Sequence, residues 1–91
     1  MSDVNNTLTE RGSRYGDFLG HASITQDLKN TIRFHIAQRN KKLAVDQQEA
    51  LDMICHKIGR IINGDPDYAD SWHDIAGYAS LVDKRLNGEV K

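Results

Sequence analysis

The chain has 91 residues and a net charge of −1, with 38% hydrophobic and 27% charged residues. That is enough for one small domain and too apolar for a disordered chain, and a length near this buries only about 60–65% of its unfolded surface. No apolar run approaches the roughly 20 residues of a membrane span, and no secretory signal core is expected after Met1. The single cysteine, Cys55, has no partner for an intrachain disulfide, which points to a reducing cytoplasm and an inert thiol.

Charge is distributed unevenly. Residues 1–42 carry seven Lys/Arg against four Asp/Glu, and residues 43–91 carry five against nine. Lys29, Arg33, Arg39, Lys41 and Lys42 follow one another with no acid between them. Such a stripe faces either phosphate or solvent, balanced in the second case by an acidic neighbour in the fold. The overall charge points away from nucleic acid.

Residues 1–10 start no periodic pattern and are expected to form a flexible arm, followed by a helical domain over 11–88 and a short tail, 89–91. The segment Glu10-Arg11-Gly12-Ser13-Arg14-Tyr15-Gly16-Asp17-Phe18 has two glycines around an Arg-aromatic pair and predicts an ordered loop. Such a loop either grips a nucleotide or plugs the end of a bundle. From Phe18 or His21 to Asn40, Ile24, Leu28, Ile32 and Ile36 recur every four residues and predict a first helix.

A second helix starts at Asp46, with Glu49 three residues on as a capping-box variant. Leu51, Ile54, Ile58, Ile61 and Ile62 form its predicted core stripe, and Asn63-Gly64 ends it before the Asp65-Pro66-Asp67 turn. The third helix begins between Tyr68 and Ser71 and runs to Asn87, with Gly88 as its stop. Nothing alternates with the period of a strand. The expected fold is all-α, a three-helix protomer that completes a helical bundle by self-association.

The third helix carries the most unusual pattern. At about 100° per residue, Trp72, Ile75, Ala76, Ala79, Val82 and Leu86 share one side, and Asp70, Asp74, Gly77, Tyr78 and Leu81 share the other. A solvated face does not call for a mid-helix glycine, which costs about 1 kcal/mol against alanine. Asp70, Asp74, Gly77, Tyr78 and Leu81 are therefore the candidate ligand or interface face, and the face expected to pair when the protomer self-associates. Trp72 belongs to the apolar stripe and is expected in the core.

Glu49, Asp52, Met53, His56 and Arg60 line the second helix opposite its isoleucines. If that row met Asp70 and Asp74, carboxylates would converge as Mg²⁺ requires, with substrate phosphates completing its shell. Glu49, Asp70 and Asp74 are the candidate metal ligands, and Arg14, Lys57 and Arg60 the candidate phosphate partners. The alternative is that Glu49 and Asp70 merely cap helices. His56 has no second ligand at metal spacing on its helix, His73 projects to a flank, and His21 and His35 point to nothing specific.

Arg14-Tyr15-Gly16-Asp17, Lys57-Ile58-Gly59-Arg60-Ile61 and Asp70-Ser71-Trp72-His73-Asp74-Ile75-Ala76-Gly77-Tyr78-Ala79 resemble blocks shared by a family of small phage and prophage proteins. The likeness spans roughly residues 10–84 and implies a phage-related protein at work in a bacterial host, with no reaction attached. The last block is also similar, more distantly, to the MazG-like all-α nucleoside triphosphate pyrophosphatases. That likeness implies a Mg²⁺ site with Asp70 and Asp74 as one carboxylate pair. The other acidic row of that family is not reproduced, since His56-Lys57-Ile58-Gly59-Arg60 stands in its place.

Two functions follow as expectations. One is an accessory protein that binds a host or phage protein, and itself, without catalysis and with no certain cofactor. The other binds or hydrolyses a nucleoside phosphate with Mg²⁺, through attack by a metal-activated water.

Overall fold

The computed structural model describes residues 14–89. The expected arm at 1–10, residues 11–13 of the glycine-containing segment and the last two residues of the tail lie outside the described residues. Three helices follow in chain order: α1 (Phe18–Gln38), α2 (Val45–Asn63) and α3 (Ala69–Leu86). No strand occurs among the described residues. The fold is all-α.

Local chemistry sets the helix limits. Asp17 is the N-cap of α1 and accepts a hydrogen bond from the Gly20 amide (3.2 Å). Helix α2 starts one residue before Asp46, with Ala44 as the N-cap. The reciprocal bond comes from Gln47, whose Oε1 accepts from the Ala44 amide (2.8 Å). Asp46 is thereby left for another task, and it pairs with Arg85 on α3. Gly64 ends α2, and the Asp65–Asp67 turn leads into α3.

Helix α2 is the middle of a row. Both α1 and α3 pack on it, and they do not approach each other. The α2–α3 register is antiparallel and read from two ion pairs, Asp46–Arg85 and Lys57–Asp74. From 46 to 57 along α2 and from 85 back to 74 along α3 is the same 11 residues. On the other flank, His56 and Gly59 of α2 meet His21 and Thr25 of α1.

This arrangement changes the expected core. At 3.6 residues per turn, Leu51, Ile54, Ile58 and Ile62 lie roughly a third of a turn round α2 from each of its two contact lines. The stripe is therefore not buried by either neighbour. Leu51, Ile54, Ile58 and Ile61 are only half-buried, and Ile62 is 64% exposed. The buried residues of α2 are Ala50, Cys55, Lys57 and Gly59, small groups and one ion-paired lysine. Ile24, Leu28, Ile32 and Ile36 of α1 are likewise half-buried, while His21 and Thr25 are buried.

Trp72 also departs from expectation. It is 55% exposed, with its indole N–H donating to the Pro66 carbonyl (2.8 Å). That bond holds the ring over the turn, which takes it out of any intrachain core. Trp72 joins Ala76, Ala79 and Leu86 on an exposed edge of α3. A groove of about 370 Å³, lined by Leu43, Leu51, Ile54, Ala79 and Val82, brings Ala79 of this edge beside Leu51 and Ile54 of the α2 stripe.

Candidate functional site

The sequence blocks that stood out meet where the C-terminal end of α2 lies beside the N-terminal end of α3. Residues 14–17 cross this end as a strap; Arg14 and Tyr15, expected in an ordered loop, are helical, and Gly16 and Asp17 lead from them into α1. The Asp65 amide donates to the Arg14 carbonyl (2.6 Å), and Asn63 Nδ2 donates to the carbonyls of Tyr15 (2.9 Å) and Asp17 (2.8 Å). Gly64 permits the crossing: a Cβ there would stand 2.1 Å from the Arg14 carbonyl oxygen and 2.3 Å from the Tyr15 Cα.

Above the strap the side chains interleave. The Arg60 guanidinium lies 4.2 Å from the centre of the Tyr15 ring, and Arg14 lies 4.8 Å from that of Tyr68. The two tyrosines meet edge to face at 5.9 Å. Arg14 Nη1 donates to the Tyr68 hydroxyl (2.9 Å), which donates to Asp70 Oδ2 (2.9 Å). That bond to Asp70 raises the Tyr68 pKa above the ordinary phenol value. The sequence reading did not single out Tyr68. Its position two residues before Asp70, at the helix N-cap, is the signal that marks it. Tyr15 is half-buried between Arg60 and Tyr68, while Phe18, in the first turn of α1, is exposed.

One turn deeper, Lys57 Nζ lies 3.0 Å from Asp74 Oδ2. The lysine is buried and Asp74 is partly exposed at the rim. The lysine's hydrogen bond holds the Asp74 carboxyl below the ordinary carboxylate range. Arg60 is half-buried and forms no ion pair among the described residues. The three candidate phosphate partners Arg14, Lys57 and Arg60 thus gather at this end, with Lys57 already committed to Asp74.

The candidate metal ligands are not brought together. The register places Glu49 opposite Val82 and Asp70 opposite Ile61, 12 residues apart along α2 and so about 18 Å. Glu49 instead lines a groove of about 620 Å³ with Asp46, Tyr78, Leu81 and Arg85. Asp70 holds Tyr68 and Asp74 holds Lys57. Among the described residues no three His, Cys, Asp or Glu side chains are grouped to hold a metal ion.

The unusual face of α3 divides in two. Asp74 and the half-buried Tyr78 turn toward α2, whereas Gly77 is exposed and Leu81 is 51% exposed. A depression of about 440 Å³ runs along this face, lined by His73, Asp74, Gly77, Tyr78, Leu81 and Lys84. A Cβ at Gly77 meets nothing within 4 Å. Gly77→Ala is therefore expected to raise stability by about 1 kcal/mol, the helix-propensity difference alone, measured by urea denaturation.

On the far side of α2 the structure pairs two histidines that the sequence did not connect. His21 Nε2 and His56 Nδ1 are 3.2 Å apart, and the rings meet edge to face at 4.5 Å. Burial is the main cause holding both imidazoles below their ordinary pKa, with the Arg60 charge adding to it, and His56 is lowered to about 4. Gly59 on α2, and Thr25 one turn after His21 on α1, mark the close approach that brings these rings together. Because the folded state prefers neutral imidazole, this stability is fully present above pH 6.5. It is lost as pH falls from 6.5 toward about 4. Allowing for partial exposure, the loss from His56 is on the order of 2 kcal/mol, measurable in urea melts at pH 7 and pH 4.5.

Comparison with known proteins assigns a family. Residues 1–86 match the family described as Domain of unknown function (DUF6378). The chain belongs to the DUF6378 family. The match takes in α1, α2, α3 and the strap, so the candidate site lies within the matched residues. No curated protein and no solved structure matches the chain. No helix among the described residues is long and apolar enough to cross a membrane.

Proposed function

We propose that this DUF6378 chain is a phage-type accessory protein that acts by binding, without catalysis, and that its helices are completed by self-association. One observation carries the reading: α1 and α3 flank α2 without meeting, so the Leu51–Ile54–Ile58–Ile62 stripe faces outward. Leu51, Ile54 and Ile58 are only half-buried and Ile62 is 64% exposed, so part of their apolar surface is left to gain from cover, where complete burial of an exposed isoleucine is worth about 1.5–3 kcal/mol.

The dimensions suit a stable interface. Nineteen residues of α2 span about 28 Å, and three helices packed 8–10 Å apart make a layer roughly 25 Å wide. That is about 700 Å² per protomer, near the ~800 Å² typical of specific protein interfaces. Two such layers face to face make a six-helix bundle. The Asp74–Gly77–Tyr78–Leu81 face then remains outside, open to a host or phage protein. Its depression offers apolar contact from Tyr78 and Leu81 beside the charges of Asp74 and Lys84.

A photo-crosslinking residue at position 54, in the purified protein, tests the assembly. Adducts between two copies are expected there and not from position 30, which is exposed on α1. Equal crosslinking at both positions contradicts it.

A second reading rests on Arg60, a half-buried guanidinium without an ion pair among the described residues, beside Arg14 and Lys57. That group suits an oxyanion and keeps a nucleoside-phosphate ligand in view. Mg²⁺ would have to be held by Asp70 or Asp74 together with substrate oxygens. A thermal-shift screen of nucleotides with and without Mg²⁺ separates the readings, since a ligand that binds only the folded state raises its melting temperature.

A further inference from the structure

We propose that the His21–His56 pair is an acid-sensitive latch between α1 and α2, whose protonation frees α1 while the α2–α3 hairpin stays closed. The geometry allows one arrangement at neutral pH. One imidazole donates its N–H and the other accepts, across 3.2 Å. A second proton on the pair leaves two N–H groups pointing at each other in the seam, with only the Thr25 hydroxyl, 3.5 Å from His21 Nε2, at the limit of accepting distance.

The surroundings discourage even the first proton. Lys29 on α1 and Lys57 and Arg60 on α2 all bring positive charge to the pair. The carboxylates on the adjoining elements are engaged elsewhere. Asp17 caps α1, Asp52 accepts from Gln48, and Asp74 on α3 holds Lys57. His21 is only 6% exposed, and its Nδ1 is buried against the Gly59 backbone without a hydrogen bond of ordinary geometry. Phe18 tilts against the His21 ring at 6.5 Å and adds no polar partner.

The two seams of α2 differ in what acid does to them. The α2–α3 seam is pinned by Lys57–Asp74 and Asp46–Arg85, whose carboxyls are both held below their usual range by hydrogen bonds from their basic partners. Those pairs survive at pH 5. The α1–α2 seam has the histidines at its tightest point, where a Cβ on Gly59 would come within 2.5 Å of Thr25 Oγ1. Acid at pH 5 therefore acts on one side of α2 and spares the other.

Cys55 reports the opening. It is the sole cysteine, 2% exposed, and sits within electrostatic reach of Lys29 and Arg33 of α1. Its modification by 4,4′-dithiodipyridine, which reacts in acid, is measured at pH 7 and pH 5 and referenced to the urea-unfolded chain at the same pH. Protection is expected to fall about tenfold or more between the two. His56→Gln removes one titrating ring and is expected to flatten most of that fall. Protection independent of pH, or an equal fall in His56→Gln, overturns the latch. Should His56→Gln fail to fold, amide exchange of the wild-type protein decides. Loss of protection in α1 alone at pH 5 supports the latch, and equal loss in α3 overturns it.

Discussion

Ile58→Glu should separate the proposed assembly into single chains while leaving the helix content unchanged. Ile58 lies on the open stripe of α2, away from the ion pairs to α3 and from the histidine seam to α1. Within one chain the carboxylate can reach water, so the fold loses little. In a face-to-face assembly it enters an apolar interface twice, once from each copy. Burying even one polar group without a partner costs several kcal/mol, so the dissociation constant should rise by more than about a hundredfold. Sedimentation velocity and far-UV circular dichroism together check both halves of the expectation. Asn30→Glu, an equal charge at an exposed position of α1, is the control and should change neither.

Gly64→Ala is the corresponding test of the strap. The added Cβ would fall 2.1 Å from a backbone carbonyl oxygen and 2.3 Å from a backbone Cα, and neither can swing aside as a side chain would. Residues 14–17 must lift. With them go the Asp65–Arg14 bond, the Asn63 bonds and the Arg60–Tyr15 stack. A loss of about 2–4 kcal/mol is expected, far above the usual cost of a surface substitution. Urea melts followed by circular dichroism read it directly. A change below about 0.5 kcal/mol would mean that the strap contributes nothing to the fold.

Much of the architecture is written in short-range signals. The helix limits follow from Asp17, Asn63-Gly64 and Gly88, and the turn between α2 and α3 follows from Asp65-Pro66-Asp67. These are local effects, decided by a few neighbouring residues. The choice of which side of α2 meets its neighbours is not local. Periodicity shows that Leu51, Ile54, Ile58 and Ile62 share a side, but it does not say whether that side faces the same chain or another. Lys57 illustrates the difficulty. A lysine reads as exposed, yet it is buried because Asp74 is one ion-pair distance away on a helix 17 residues later in the sequence.

The candidate site was legible to the same depth. The blocks around Tyr15, Lys57 and Asp74 do converge, and Arg14, Lys57 and Arg60 gather with them. Glu49 does not join them, because an antiparallel pairing of α2 and α3 sends its two ends apart. The His21–His56 contact needs the crossing point of α1 and α2, and no spacing within either helix encodes that. Gly59 carries the closest hint, since another helix comes near it, but Gly77, equally mid-helix, has nothing within 4 Å, so a glycine by itself does not mark a crossing.

The central claim is that the open α2 stripe is covered by a second copy of the chain. Light scattering coupled to size-exclusion chromatography, run as a dilution series of the wild-type protein, tests it most directly. At micromolar concentration the mass should be a multiple of the 10.3 kDa chain, twice that value for two facing layers. A mass of 10.3 kDa at every concentration would contradict it.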